Sequence, residues 1–158
     1  TVLVGRHPHL DFWRWETDAD REIARRCLAD VDLADFGDRE LSTLSGGERR
    51  RVAAATVLAQ DPQTYLLDEP IQQLDPQHQY GILRLFRELA QRGRAVAMIL
   101  HDAGHAARFA DDALLLFGDG RWVHGPCSEV LNEASIGELY GLPVRELRWA
   151  DGRTFVTA

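Results

Sequence analysis

Lysine is absent from this chain of 158 residues, in which all 18 basic side chains are arginines. A phosphate-binding loop with the pattern Gly-x-x-x-x-Gly-Lys-Ser/Thr needs a lysine, so the sequence contains no such loop. Cysteine is also scarce, and the wide separation of Cys27 from Cys127 is typical of a reduced protein without a disulfide framework. Apolar runs stay shorter than the roughly 18 residues of a membrane span, so we expect no membrane-spanning helix.

The composition indicates a globular domain. Hydrophobic residues make up 45% of the chain, and the formal net charge is −7. The apolar content is sufficient for a packed core, while the negative charge argues against broad, non-specific binding of nucleic acid. We therefore expect an ordered domain that does not have nucleic acid as its partner.

One short segment is the starting point for a functional interpretation of the chain. Residues 44–48 read Leu-Ser-Gly-Gly-Glu and precede an Ala-rich helical pattern that extends to about Gln60. Ser45 can cap this helix, and Gly46 and Gly47 let an anion approach its first backbone N–H groups. The positive end of the helix dipole favours a phosphate at that point. The segment thus predicts a phosphate-contacting helix N-terminus, although Ser-Gly-Gly also occurs in ordinary loops.

Two carboxylates follow a short apolar run. Residues 65–67 are too few for a helix and predict a buried parallel strand, which Asp68 and Glu69 directly follow. Open α/β sheets carry their chemistry at the carboxyl ends of strands. An aspartate there can hold Mg²⁺ through water, and a glutamate can orient an attacking water. The alternative interpretation is an acidic turn before Pro70.

Helices and strands alternate along the rest of the chain. The predicted helices are residues 17–33, 76–93, a short one ending at Arg108, and pieces at 128–131 and 135–140. The predicted strands are 95–100 and 113–117, the latter turning back into 121–123, with a second hairpin over 144–156. The alternation from Tyr65 to Phe117 indicates a parallel, covered sheet.

Residues before the first predicted helix are rich in turn-formers and aromatic side chains. Residues 5–9 predict a loop, and the two histidines in it have no Cys or carboxylate cluster that would complete a metal site. Phe12, Trp13 and Trp15 lie close together in sequence, and we expect them to pack against the protein or to meet a partner.

Taken together, the motifs resemble those of the ATP-binding-cassette (ABC) ATPases. Residues 44–48 are similar to the signature motif of that family, 66–70 (Leu-Leu-Asp-Glu-Pro) to its Walker B strand, 74–75 (Leu-Asp) to its D-loop, and 101–102 (His-Asp) to its switch histidine. Their order and spacing match as well. The resemblance implies an α/β fold of the P-loop NTPase type, in which a parallel sheet carries a helical subdomain.

The resemblance implies a role for each matching residue. Those implied to contact the ATP bound by the opposite subunit are Ser45, Gly46, Gly47 and Glu48. Asp68 would support Mg²⁺ through water, Glu69 would be the base or water-orienting group, and His101 would sense the γ-phosphate. Asp75 would couple the two sites across the dimer. ATP and Mg²⁺ are the implied cofactors, and phosphoryl transfer depends on positioning and charge stabilisation more than on covalent chemistry.

A narrower resemblance points to importers. Residues 5–9 and 107–111 are similar to the branch of the family that serves iron-chelate (siderophore), haem and cobalamin uptake. It implies an ATPase subunit that forms a homodimer and docks on transmembrane permease subunits, as a peripheral protein at the cytoplasmic face of the membrane. The transported substrate would be selected by the other subunits.

The chain departs from the family in what it lacks. The Walker A loop needs a lysine, and every Gln follows Ser45, so the Q-loop glutamine that should precede the signature motif is missing as well. We therefore expect a cassette that is incomplete at its N-terminus. Residues 1–60 would be the helical, signature-motif subdomain and residues 61–158 the C-terminal part of the catalytic α/β subdomain. The 158-residue chain alone is then expected to be inactive.

Three other interpretations remain open. An ABC-type ATPase of chromosome maintenance or translation would share the core, but such proteins usually carry coiled coils or basic linkers, which this sequence does not show. The spacing of His101 and His105 suggests a metalloprotein, yet Gly104 weakens the helix that such a site needs. The third interpretation is a non-catalytic or degenerate ABC-type module without its own P-loop.

Overall fold

A computed structural model describes residues 1–10, 15–150 and 152–158. The chain forms two compact units, Thr1–Ile99 and Leu100–Ala158. Phe12 and Trp13 lie outside the described residues, while the side chain of Trp15 is 88% exposed. The predicted division of the cassette after residue 60 stays a prediction.

The first unit begins with helical segments. A 3₁₀ helix spans Val2–His9, where the sequence predicted a loop. Helix α1 spans Asp18–Ala29, followed by 3₁₀ turns at Ala34–Phe36 and Leu41–Thr43 and by α2 at Gly46–Gln60. Helix α1 is shorter than predicted because Asp32, with φ 58, adopts the left-handed conformation that ends a helical path.

A buried ion pair ties the first 3₁₀ helix to α1 and α2. The Arg6 guanidinium Nε donates to the Asp20 carboxylate at 3.0 Å, and its Nη1 donates to the Ala59 carbonyl at 2.8 Å. Thr17, the N-cap of α1, also donates to Asp20 through its backbone N–H and its hydroxyl. These bonds satisfy a carboxylate that is only 7% exposed, as a buried charge requires.

Strands β1 (Thr64–Asp68) and β2 (Ala95–Ile99) pair in parallel, as the sequence predicted. Helix α3 (Pro76–Gln91) connects them, beginning with proline at its first turn after the cap residue Asp75. Tyr65 of β1 meets Phe86 of α3 edge to face, with ring centroids 5.5 Å apart, and both are fully buried. This aromatic pair anchors the helix to the sheet.

The opposite face of the two strands is exposed. Leu66 is 78% exposed and Ile99 is 56% exposed, because successive residues of a strand point to opposite faces. The prediction of fully buried strands in a covered sheet is therefore wrong for this face. Among the residues that the structure describes, the packed side is the one that bears Tyr65, which meets Phe86 of α3.

The second unit consists of short helices and two hairpins. Its elements are α4 (Ala103–Phe109), β3 (Asp112–Leu116), β4 (Trp122–Pro126), α5 (Cys127–Val130), α6 (Glu133–Tyr140), β5 (Val144–Trp149) and β6 (Gly152–Thr157). One cluster of buried side chains holds them together: Ala103, Leu115, Cys127, Val130, Leu131, Ile136 and Val144. Both cysteines of the chain are buried thiols.

The third predicted strand does not extend the parallel sheet. Among the residues that the structure describes, β3 pairs only with β4, in antiparallel register, and β5 pairs only with β6. The turn before β4 contains Gly120 at φ 88. Glycine adopts this positive φ without strain, so the two strands can be joined by a tight hairpin turn. Both predicted hairpins are thus confirmed, whereas the prediction of parallel pairing for residues 113–117 is wrong. No described helix is long and apolar enough to cross a membrane.

Candidate functional site

Ser45 and Glu48 form a capping box at the start of α2. The Ser45 hydroxyl oxygen accepts from the Glu48 backbone N–H at 3.2 Å, and the Glu48 carboxylate accepts from the Ser45 backbone N–H at 2.6 Å. The hydrogen bonds from Ser45 lower the pKa of Glu48 below its ordinary value. Two of the predicted ATP-contacting residues therefore also determine where the helix begins.

The two glycines that follow leave the first amides of α2 open. Within the described part of the chain, the N–H groups of Gly46 and Gly47 donate to no acceptor, and both residues are half-exposed. A Cβ at Gly46 would lie 3.2 Å from Gln73 Oε1, and a Cβ at Gly47 would lie 3.4 Å from the Gln73 carbonyl oxygen. The absence of side chains thus permits a close approach of the 72–75 segment and leaves two donors accessible.

The 72–75 segment touches the same helix at a second point. Arg50 Nη2 donates to the Gln72 side-chain oxygen at 3.3 Å. Gln73 has φ 65, in the left-handed region that non-glycine residues seldom adopt, so its neighbours must hold it there. Sequence reasoning gave neither glutamine a role, because nothing local indicates that the two residues before the D-loop-like pair 74–75 lie beside α2.

Asp75 caps α3 and pairs with a histidine in its first turn. Its Oδ1 accepts from the His78 backbone N–H at 3.0 Å, and its Oδ2 lies 2.7 Å from His78 Nδ1. These bonds, the backbone one foremost, hold the pKa of Asp75 below its ordinary value. The carboxylate is 59% exposed, so the cap does not remove it from solvent or from a partner.

Asp68 and Glu69 lie at the carboxyl end of β1. Asp68 is exposed and is the register partner of Ile99, the last residue of β2. Glu69 has φ 46, another left-handed residue without the freedom of glycine. Backbone strain of this kind concentrates at functional sites, where the surrounding structure holds it in place. The chain therefore turns sharply at Glu69, directly after the strand that carries Asp68.

His101 belongs to the second unit and lies just before α4. Its backbone carbonyl accepts a hydrogen bond from the Tyr140 hydroxyl at 2.8 Å. The same hydroxyl oxygen accepts from the Ala103 backbone N–H at 3.0 Å. Sequence reasoning missed Tyr140, because the residue lies 39 positions beyond His101 and no motif connects them.

Asp102 caps α4 from within the His-Asp motif. Its Oδ1 accepts from the Gly104 N–H at 2.6 Å and from the His105 N–H at 3.2 Å. A Cβ at Gly104 would overlap the side chain of Thr154 on β6 and lie 2.9 Å from Asp102 Oδ1. Glycine is thus required at this position by the close packing of α4 on the last hairpin.

The arrangement of the acidic side chains bears on metal binding. In residues 1–10, 15–150 and 152–158, no group of three or more His, Cys, Asp or Glu side chains is placed to hold a metal ion. The metalloprotein interpretation of His101 and His105 therefore finds no third ligand among these residues. A single exposed carboxylate such as Asp68 does fit Mg²⁺, which keeps several waters and takes other ligands from substrate phosphates.

Comparison with known proteins identifies the class. The model of the ABC transporter family matches residues 3–72, a stretch that includes the capped start of α2 and the acidic end of β1. The structure of an inward-facing ABC transporter assigned to the metal-chelate type matches with a TM-score of 0.85 at 26% identity, covering 99% of this chain and 64% of that one. Residues 3–72 thus match the ABC transporter family, and the fold of the chain is that of part of an ABC ATPase cassette.

Several of the curated relatives that the chain resembles are import ATP-binding proteins. A hemin import ATP-binding protein of Streptomyces coelicolor is 45% identical over 143 residues, which cover 90% of this chain and 50% of the relative. A cobalamin import ATP-binding protein of Halobacterium salinarum is 44% identical over 121 residues, which cover 76% of this chain and 30% of the relative. The chain spans about half the length of the hemin import relatives it matches.

Proposed function

We propose that the protein carrying this chain is the ATP-hydrolysing subunit of an ABC importer for a metal chelate, such as haem, cobalamin or a siderophore. The observation that carries the proposal is the start of α2. It combines a serine cap with two open glycine amides, in a chain 45% identical to a hemin import ATP-binding protein. A helix N-terminus of this kind is suited to bind the terminal phosphate of a nucleotide.

Each polar group has a task in this proposal. The open amides of Gly46 and Gly47 donate to the γ-phosphate, and the capping box keeps them in place. The Glu69 carboxylate orients the attacking water, and the imidazole of His101 contacts the γ-phosphate as its charge develops. Mg²⁺, held by Asp68 through water, would neutralise charge on the phosphates when it is bound.

A second copy of the protein completes each site in this account. The start of α2 serves the nucleotide held by the partner, and Asp75 couples the two sites. The close approach of Gln73 to Gly46 and Gly47 supports this role, because it places the residues just before Asp75 beside the start of α2. The permease subunits hold the assembly at the cytoplasmic face of the membrane.

The proposal is tested by reconstituting the full-length protein with its permease in liposomes. Haem, cobalamin and a ferric siderophore are supplied separately, and uptake is measured with ATP and with a non-hydrolysable ATP analogue. We expect uptake of one chelate with ATP alone, accompanied by phosphate release. ATP hydrolysis stimulated by nucleic acid without uptake of any chelate would favour the translation or chromosome alternative. Absence of both ATP binding and hydrolysis would favour the degenerate module.

A further inference from the structure

Tyr140 bridges the backbone on both sides of Asp102. Its hydroxyl donates to the His101 carbonyl at 2.8 Å and accepts from the Ala103 N–H at 3.0 Å. A phenolic hydroxyl can serve as donor and acceptor at once, so the two bonds use compatible roles. The side chain therefore brackets the turn by which the chain passes from His101 into α4.

The contact completes the hydrogen bonding at the start of α4. A helix start leaves its first four N–H groups without intrahelical carbonyl partners of their own. Here the first, of Ala103, donates to Tyr140, and the next two donate to Asp102 Oδ1 at 2.6 and 3.2 Å. The Ala106 N–H then makes the first intrahelical bond, to the Asp102 carbonyl oxygen at 3.3 Å. Tyr140 thus supplies the acceptor that the capping residue cannot supply.

Helix α6 holds Tyr140 in a defined place. Ile136 of α6 is fully buried in the cluster that also contains Ala103 of α4. The helix that carries Tyr140 and the helix start that Tyr140 contacts therefore pack on the same core. Asn132 caps α6 by accepting from the Ser135 N–H at 3.0 Å, and Gly141, with φ 66, ends it. A short, capped helix on a packed core can position a hydroxyl group more precisely than a loop can.

We propose that Tyr140 is a positioning residue for His101. The inference rests on the proposed function, in which the imidazole of His101 contacts the γ-phosphate. Tyr140 binds the main chain on both sides of Asp102 and so fixes the backbone from which the His101 side chain extends. Because small displacements of a phosphate-contacting group reduce the rate steeply, the bridge keeps the imidazole at the place where charge develops.

The test is Tyr140→Phe in the full-length protein, assembled with its permease. The substitution keeps the ring and removes both hydrogen bonds. We expect kcat for ATP hydrolysis to fall about 3- to 10-fold, the factor associated with a neutral hydrogen bond, while KM for ATP stays unchanged. Tyr80→Phe on α3 removes a phenolic hydroxyl from the other unit and is the matched control, with kcat unchanged. Thermal unfolding of each variant checks that the fold is intact.

Repeating the substitution in a protein that lacks the His101 side chain distinguishes positioning of His101 from general destabilisation of the fold. In a His101→Ala protein, Tyr140→Phe is expected to cause no further loss, because the two residues act through one contact. An equal loss in both backgrounds, or a change of KM alone, would overturn the inference. If His101→Ala itself leaves hydrolysis unchanged, the role of His101 in the proposed function fails instead. If His101→Ala lowers the rate and Tyr140→Phe does not, only the role of Tyr140 fails.

Discussion

Ser45 and Glu48 satisfy each other's backbone N–H groups at the start of α2, at 3.2 and 2.6 Å. Between them lie two glycines whose amides have no acceptor within the described part of the chain. The cap and the proposed phosphate site are therefore one structure, in which Ser45 and Glu48 hold the helix end while the glycines face the nucleotide.

The first prediction concerns the stability that each residue of the capping box contributes. Ser45→Ala should cost about 1 kcal/mol of unfolding free energy, because the N-cap acceptor is lost. Glu48→Gln should cost much less, since glutamine at the same position can still accept from the Ser45 N–H and complete the capping box. Denaturant unfolding of the full-length protein measures both. Equal losses for the two variants would show that the charge of Glu48, and not the geometry of the box, stabilises the helix start.

The second prediction concerns acid stability through Asp20. Hydrogen bonds from Thr17, and then from Arg6, lower the pKa of this carboxyl to about 2. The unfolded value is about 3.9. Because the folded pKa is the lower one, the ionised group stabilises the fold above about pH 4, and that contribution is lost as the pH falls towards about 2.

The measurement is the thermal unfolding midpoint from neutral pH down to about pH 2. Asp20→Asn should be less stable than the parent protein near neutral pH and should show a shallower fall in acid. Asp35→Asn, at an exposed position, is the matched control and should follow the parent curve. Parallel curves for the parent protein and Asp20→Asn would contradict the role of this ion pair.

The third prediction concerns the packing of α4 on β6. Gly104→Ala should destabilise the protein by about 1–3 kcal/mol, the usual range for overpacking, because its Cβ would overlap the Thr154 side chain. Thr154→Ala in the same chain should recover part of the loss. Chemical denaturation of the two single variants and the double variant gives the coupling. Additive losses would mean that the two side chains do not compete for the same space.

The fourth prediction concerns His101. His101→Ala in the full-length protein should lower ATP hydrolysis with little change in nucleotide affinity, because the contact matters most for the charge that develops in the transition state. Steady-state hydrolysis and equilibrium binding of ATP measure the two quantities. A large loss of affinity with an unchanged kcat would assign His101 to ground-state binding instead.

The helix starts could be predicted from the sequence because their signals are local. Helix α2 begins after Ser45, which pairs with Glu48, and α3 begins after Asp75, which precedes Pro76. Each capping signal therefore lies within a few residues of the helix start that it predicts. The parallel pairing of β1 and β2 could also be predicted, since a helix that connects two short apolar runs favours parallel strands.

Long-range contacts could not be predicted in the same way. The bond between Tyr140 and His101 joins residues 39 positions apart and depends on how α6 packs on the common core. The prediction that residues 65–67 form a buried strand was wrong for Leu66, because a short apolar run does not show how many of its faces are covered. The pairing of 113–117 was predicted incorrectly because the alternation of helices and strands does not show which neighbour a strand pairs with, and this strand pairs with the one that follows the tight turn.

Glu69 provides the most direct test of the account. In the full-length protein, Glu69→Gln removes the carboxylate and keeps the shape of the side chain. Single-turnover hydrolysis should fall at least about 10²-fold, the usual scale for a general base, while ATP still binds. Glu129→Gln, at an exposed position on α5, is the matched control and should hydrolyse ATP normally. Near-normal hydrolysis by Glu69→Gln would contradict the proposal that this residue orients the attacking water.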